Sequence, residues 1–279
     1  MVKKSAQSSA AQASLAQIKR IEVQARTNSR FLIRLLSQNH EYQKPGLCGP
    51  AIARLALKSA LAYQVALGLI EPQTAASVTI PSQKEIAKKT FSGPKMSDDS
   101  EVWQKMKRFI PPEDMEFYER VGKKNYCLPE DLALFLGKGA EFKENATVAD
   151  LLAQLAANRP VIVLWQEELP DRHDWFGGGH WSMVAGYHKS DNSLVMIDSS
   201  RSERFYDPVG RVVSRAVNPA EAKWRITNRY KIALGHFVAN WFDGVEETGR
   251  EYHGAMISLD LSVLNPRRWS RAMAKTNPV

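Results

Sequence analysis

At Pro160 the chain changes character, and no other feature limits its fold as much. Downstream, Val161-Ile162-Val163-Leu164-Trp165 is an unbroken apolar run, rich in β-branched residues and dense enough for a strand buried on both faces. Residues 181–187 and 194–197 read as two more strands, with Lys189-Ser190-Asp191-Asn192 supplying the turn between them. Glu203–Tyr206 and Arg211–Val213 fit a hairpin about Asp207-Pro208-Val209-Gly210, and 226–234 adds a further strand. Upstream, from 46 to 158, the pattern is mostly helical. Helices first and strands afterwards indicate an α+β architecture rather than an alternating α/β one.

The helical part has clear punctuation. Residues 28–42 read as a short helix with Phe31, Leu32, Leu35 and Leu36 on one side, broken by 43–47. A longer helix opens at Cys48, with Pro50 in its first turn, where a missing N–H is harmless. Ile52, Leu55, Ala56, Ser59, Tyr63, Ala66 and Ile70 then recur at helical spacing, and Glu71-Pro72 ends the run. Residues 72–100 read as mixed, with loops at Pro81, Gly93 and Pro94. Trp103, Met106, Phe109 and Ile110 mark a short helix stopped by Pro111-Pro112. Another begins at Pro129 after Cys127-Leu128, and a third follows Thr147, using Val148, Leu151, Leu152 and Leu155.

Composition narrows the class. With 279 residues, 44% hydrophobic and 24% charged, the chain is globular and long enough for a sizeable core. A net charge of +8 favours acidic partners. The basic residues are spread along the chain, however, and no zinc-finger spacing occurs, so nucleic-acid binding is not expected. No stretch reaches the roughly 18 apolar residues of a membrane span. The longest candidate, 51–70, contains Arg54, Lys58, Ser59 and Gln64. No pair of histidines has the spacing of a zinc helix motif, and neither a metal nor another cofactor is expected. Residues 1–27 read as a flexible or targeting tail that lacks the apolar centre of a secretory signal and carries no acid before Glu22. That composition fits a cytoplasmic protein or one exported by a non-classical route, including an effector or toxin.

Two cysteines do not make a disulfide scaffold. Cys48 lies in Gly46-Leu47-Cys48-Gly49-Pro50, at a helix start. There, unpaired backbone N–H groups and the positive end of the helix dipole favour the thiolate, the nucleophilic form of sulfur. Cys127 has no comparable setting and reads as structural. Gly177-Gly178-Gly179-His180-Trp181 precedes one strand and Asp198 ends the next. A nucleophile, a base and an orienting carboxylate therefore occur in a workable order. The alternatives are Cys48 as core, Asp207 as the orienting acid, and His173 as a substrate contact. Gly179 and Trp181 flank the base and are candidate substrate contacts, with core packing an equal explanation for the tryptophan.

Cys-Gly-Pro at a helix start, Gly-His-Trp leading a strand and Asp ending the next together resemble the papain-like cysteine peptidase superfamily. The nearest flavour is the bacterial branch that includes bacteriocin leader peptidases. The spacing from Cys48 to His180, 132 residues, matches the roughly 130–150 of the papain group. The resemblance covers about 43–200. It implies a papain-like α+β fold, with a helical lobe (about 28–158) carrying the nucleophile packed on an antiparallel β-sheet lobe (about 159–265), together one catalytic domain over 28–279. It also implies an oxyanion-hole glutamine, usually six residues before the nucleophile. Tyr42 stands there and Gln43 follows it, so the donor is Gln43, or else Gln38 or Asn39.

The expected activity is a cysteine hydrolase cleaving a peptide or isopeptide bond in a protein or peptide substrate through Cys48, His180 and Asp198. A transglutaminase, deamidase or acyltransferase would use the same trio, and a non-catalytic papain-like binding module is the third class. Side-chain parity adds a geometric expectation. His180 and Asp198 are an even number of residues apart, so their meeting on one sheet face needs an odd-length loop or a bulge. The reading favours an odd loop around 188–193.

Overall fold

The structure, a computed structural model, describes residues 30–92, 95–124, 126–166, 179–200, 229–242 and 250–267, together with strands at 203–206, 211–213, 223–226 and 245–247. The tail, His173, Trp175, Gly177, Gly178 and Asp207 lie outside the described residues.

Helix α1 (residues 30–39) lays Leu32, Leu35 and Leu36 into the core, while Phe31 stays exposed. It ends earlier than its sequence suggests, because the chain at His40 turns away to meet the sheet. Helix α2 (Cys48–Ala66) is the central helix. Ala51, Ile52, Ala53, Leu55, Ala56, Leu57 and Ala60 are all buried, so helices and sheet surround it on several sides. Its small residues permit that close approach.

After α3 (Pro72–Ala76) comes α4 (Gln83–Thr90), inside the stretch whose sequence reads as mixed. Its signal was present. The Ser82 hydroxyl accepts from the Glu85 N–H while the Glu85 carboxylate accepts from the Ser82 N–H, a reciprocal cap written as Ser-x-x-Glu. Strand β1 (Phe91–Ser92), α5 (Glu101–Lys107), α6 (Met115–Arg120), β2 (Tyr126–Cys127) and α7 (Pro129–Leu136) complete the helical layer. In it Trp103, Met106 and Ile110 are buried, but Phe109 is exposed.

Strand β3 (Ala140–Lys143) interrupts the region expected to be helical, and α8 (Val148–Ala156) follows, capped by Thr147 and Asp150. The main strands are β4 (Val161–Trp165), β5 (His180–His188), β6 (Ser193–Asp198), β7 (Glu203–Tyr206), β8 (Arg211–Val213), β9 (Lys223–Ile226) and β10 (Arg229–Ala233). Helix α9 (Leu234–Phe242), the pair β11 (Val245–Glu247) and β12 (Arg250–Tyr252), and β13 (Met256–Leu259) close the fold. The sheet order is β3-β13-β4-β5-β6-β10-β8-β7-β9. The first six strands are antiparallel, and β8 joins β10 in parallel. β13 inserts between β3 and β4, so the C-terminal strand binds the helical half to the sheet.

Alternation along the strands sorts the core into two layers. Ile162, Leu164, Trp181, Met183, Ile197 and Ile257 face α2, α4 and α7; Val163, Trp165, Val184, Met196 and Ile232 face the other side, with Phe237 and Trp241 of α9. This is the α+β arrangement expected, with the helical layer carrying Cys48 packed on an antiparallel sheet.

The expectation of an odd loop is wrong. His188 pairs with Ser193, leaving four residues in the turn, with Asn192 in the left-handed region (φ 46°). Parity is corrected by a bulge instead. Gly186 pairs with Val195 but Val184 pairs with Met196, so Ala185 is the extra residue. Continued without it, the register would set Asp198 opposite Met183, on the face covered by α2. With it, Asp198 stands opposite Ser182, on the same face as His180.

Gly49 shows how tightly α2 sits on β5. A Cβ there would lie 2.8 Å from Cys127 Sγ and 3.1 Å from Trp181 Cδ1, both in the buried core. Gly49→Ala is expected to cost about 1–3 kcal/mol through overpacking, read as a lower urea midpoint at unchanged m-value.

Candidate active site

The site lies at the ends of the central strands. His180 is the first residue of β5 and Asp198 the last of β6. His180 Nε2 donates to Asp198 Oδ1 at 2.7 Å. The Asp198 carboxylate is fully buried, and a buried charge persists only if its lone pairs are satisfied. Oδ1 also accepts from the Ser200 N–H at 2.8 Å. Oδ2 accepts from the Ser182 hydroxyl at 2.9 Å and the Tyr230 hydroxyl at 3.3 Å. Ser182 in turn accepts from Trp165 Nε1 at 3.1 Å. Strands β4, β5, β6 and β10 thus each contribute to one hydrogen-bonded network around Asp198. Sequence reading missed Ser182, Tyr230 and Trp165, since only the register sets them beside the acid.

Cys48 reaches the same region from the helical layer. It is free and partly exposed, at the head of α2. The residue after it, Gly49, lies against Trp181, the residue after His180. Trp181 itself is 2% exposed. Its position supports packing beneath α2, which sets the spacing of helix and strand, rather than contact with substrate. Gly179 is half-buried immediately before the histidine.

The segment between α1 and α2 wraps over the strand ends. His40 Nε2 donates to the Asp198 carbonyl at 2.7 Å. Burial holds the His40 ring below its ordinary value, against the opposing pull of that carbonyl and the neighbouring acids; neutral at pH 7, it still carries the one N–H this bond needs. The Gln43 N–H donates to the Ser199 carbonyl at 2.9 Å, and the Ser199 hydroxyl donates to Gln43 Oε1 at 2.7 Å. The other oxyanion candidates are placed differently. Asn39 Nδ2 is spent on the Leu35 carbonyl of its own helix, and Gln38 is on the exposed side of α1.

Helices α4 and α6 brace this segment from outside. Gln83 Oε1 accepts from the Lys44 N–H at 2.8 Å, and Gln83 Nε2 donates to the Tyr42 carbonyl at 2.9 Å. The Tyr118 hydroxyl donates to the Pro45 carbonyl at 2.9 Å. Asp114, nearly buried, binds Lys44 Nζ at 2.7 Å and Lys84 as well. Burial pushes the Asp114 carboxyl up, but hydrogen bonds from Lys44 and Lys84 outweigh it and hold the group below its ordinary 3.8. A depressed folded value adds stability that is complete above the unfolded value and is lost as pH falls through 3.8 towards the lower folded one. Asp114→Asn is expected to cost about 1–2 kcal/mol at neutral pH, the exposure of Lys44 and the half-buried setting of Lys84 limiting the gain. It should also flatten the acid limb of a plot of urea midpoint against pH below about pH 5.

A family model, the Peptidase_C39 like family, matches residues 32–232, which include Cys48, His180, Asp198 and the bracing helices. The chain belongs to this family. The resemblance read from three short motifs therefore holds over most of the chain, and membership of a Peptidase_C39-like family assigns a cysteine peptidase-type function, with peptides as the substrate class. No curated protein matches the chain significantly. Among the described residues, no helix is long and apolar enough to cross a membrane, and no cluster of three or more metal-ligating side chains occurs.

Proposed function

We propose that this Peptidase_C39-like chain hydrolyses a peptide or isopeptide bond through a Cys48-His180-Asp198 triad and an acyl-enzyme. The observation that carries the reading is the short hydrogen bond from His180 Nε2 to the buried, fourfold-bonded Asp198 carboxylate. That bond sets the tautomer and leaves Nδ1 as the nitrogen to take the thiol proton. The Cys48 thiolate then attacks the substrate carbonyl carbon. The oxygen that gains charge is met by the Cys48 backbone N–H and the Gln43 amide. His180 returns its proton to the departing amine, and the thioester is resolved by a water that gives its proton to the same imidazole.

Two measurements test the reading. An ordinary thiol is about 3% ionised at pH 7. With His180 taking its proton, Cys48 is expected to alkylate with iodoacetamide about tenfold faster than such a model thiol at neutral pH, with Cys127 unlabelled. Alkylation at the model rate would sink the catalytic reading and leave a binding module. Mass spectrometry of a peptide library should then show new free carboxyl and amino termini. A gain of about one dalton at glutamine, or a cross-link to an amine, would replace hydrolysis with deamidation or transamidation.

A further inference from the structure

We propose that Ser199 is a positioning residue for the oxyanion donor, an assignment that rests on the triad reading above. Ser199 directly follows the triad acid and is 2% exposed. Two of its groups grip Gln43, the carbonyl through the Gln43 N–H at 2.9 Å and the hydroxyl through Gln43 Oε1 at 2.7 Å. With His40 on the Asp198 carbonyl at 2.7 Å, three hydrogen bonds join Asp198, the last residue of β6, and Ser199 just beyond it to the segment leading into Cys48.

The chemistry of the amide makes this grip consequential. A glutamine carboxamide has an acceptor on one side and two N–H donors on the other. Stabilising an oxyanion requires the donor side to face the reacting carbonyl; the acceptor side would repel it. The Ser199 hydroxyl holds Oε1 against the end of β6, so the planar group presents Nε2–H₂ away from that strand. Among the described residues, the Ser199 hydroxyl is the hydrogen-bond partner of the Gln43 carboxamide, so its removal leaves that group held through the backbone anchor and able to rotate. Because the residue before Ser199 also fixes His180, the base and the oxyanion donor are referenced to the same two residues of backbone.

The test uses the full chain and ¹³C-labelled N-acetylaminoacetaldehyde. The Cys48 sulfur adds to the aldehyde carbon, the carbonyl π bond opens onto oxygen, and that oxygen takes the proton from the His180 imidazolium to give a hemithioacetal. Alkylation by iodoacetamide displaces iodide at a saturated carbon and forms no oxyanion. Ser199→Ala is expected to weaken hemithioacetal formation, read by NMR, about tenfold or more. The rate and pH profile of iodoacetamide alkylation should stay those of the parent. In a Gln43→Ala background, which itself loses a full oxyanion donor, Ser199→Ala should have no further effect on the aldehyde. Equal aldehyde affinity in parent and Ser199→Ala, or an undiminished Ser199→Ala effect in the Gln43→Ala chain, overturns the positioning role while the triad stands. A parent that alkylates fast but forms no hemithioacetal overturns the oxyanion role of Gln43 and this inference with it. A parent that alkylates as slowly as a model thiol overturns the triad reading itself.

Discussion

Cys48→Ala is expected to lower peptide-bond turnover by about 10⁶-fold while shifting the thermal midpoint by no more than about 2–3 °C. The two effects separate because the thiol sits at the edge of the core. It is partly exposed, so removing one sulfur leaves little cavity. The catalytic loss is near total because no neighbouring group described in the site is placed to substitute. The Ser182 hydroxyl is buried and donates to Asp198, and the Ser199 hydroxyl donates to Gln43. Cys127 is buried in the core against Gly49. Without a covalent intermediate, the remaining site can bind a peptide and polarise its carbonyl, so the alanine chain should also retain peptide as a trap. Turnover within tenfold of the parent would show that the sulfur does not carry the reaction.

The second large effect is at Asp198, and there the two obvious substitutions should differ. Asp198→Ala removes the acceptor of four hydrogen bonds inside the fold. Leaving those donors unmet is expected to cost about 3–5 kcal/mol of stability and about 10⁴-fold in turnover, since nothing then fixes the His180 tautomer. Asp198→Asn keeps the shape but replaces one acceptor with a donor. The Oδ1 side faces His180 Nε2 and the Ser200 N–H; the imidazole could accept through its other tautomer, but the backbone N–H can only donate and so requires an acceptor on that side. The Oδ2 side faces two hydroxyls, Ser182 and Tyr230, which can accept as well as donate. The new amide nitrogen should therefore settle beside the hydroxyls and leave the carbonyl oxygen on His180. The tautomer survives, only the charge opposite the imidazolium is lost, and turnover is expected to fall about 10²-fold. Equal losses for the two variants would mean that the hydroxyls do not choose the side. Turnover as a function of pH, with urea midpoints measured in parallel, separates the catalytic from the structural part.

Much of the site was legible because its signals are local. A glycine-flanked cysteine with a proline two residues on marks a helix start whatever it packs against, and α2 begins at Cys48. The β4 run is apolar enough to be a buried strand in almost any context, and all five residues are buried. Helix α4 was legible too, through its Ser82 and Glu85 cap, but its charged interior (Lys84, Lys88, Lys89) hides the apolar stripe formed by Ile86 and Ala87. Exposure at Phe31 and Phe109 was not legible, since helical spacing identifies one face without saying how much of it a neighbour covers.

The residues alone determined which groups are available for thiol chemistry and in what order the chain presents them, because capping, turn propensity and hydrophobic period act within a few residues. Only the folded chain decided which of them meet. A one-residue bulge at Ala185 turns Asp198 from the helix-covered face to the side of Ser182 and His180. Insertion of β13 between β3 and β4 ties the last strand to the helical half, and the end of β6 clasps Gln43 across more than 150 residues of sequence. Each of these depends on register and long-range pairing, where a shift by one position reverses every side chain and leaves no mark in local composition.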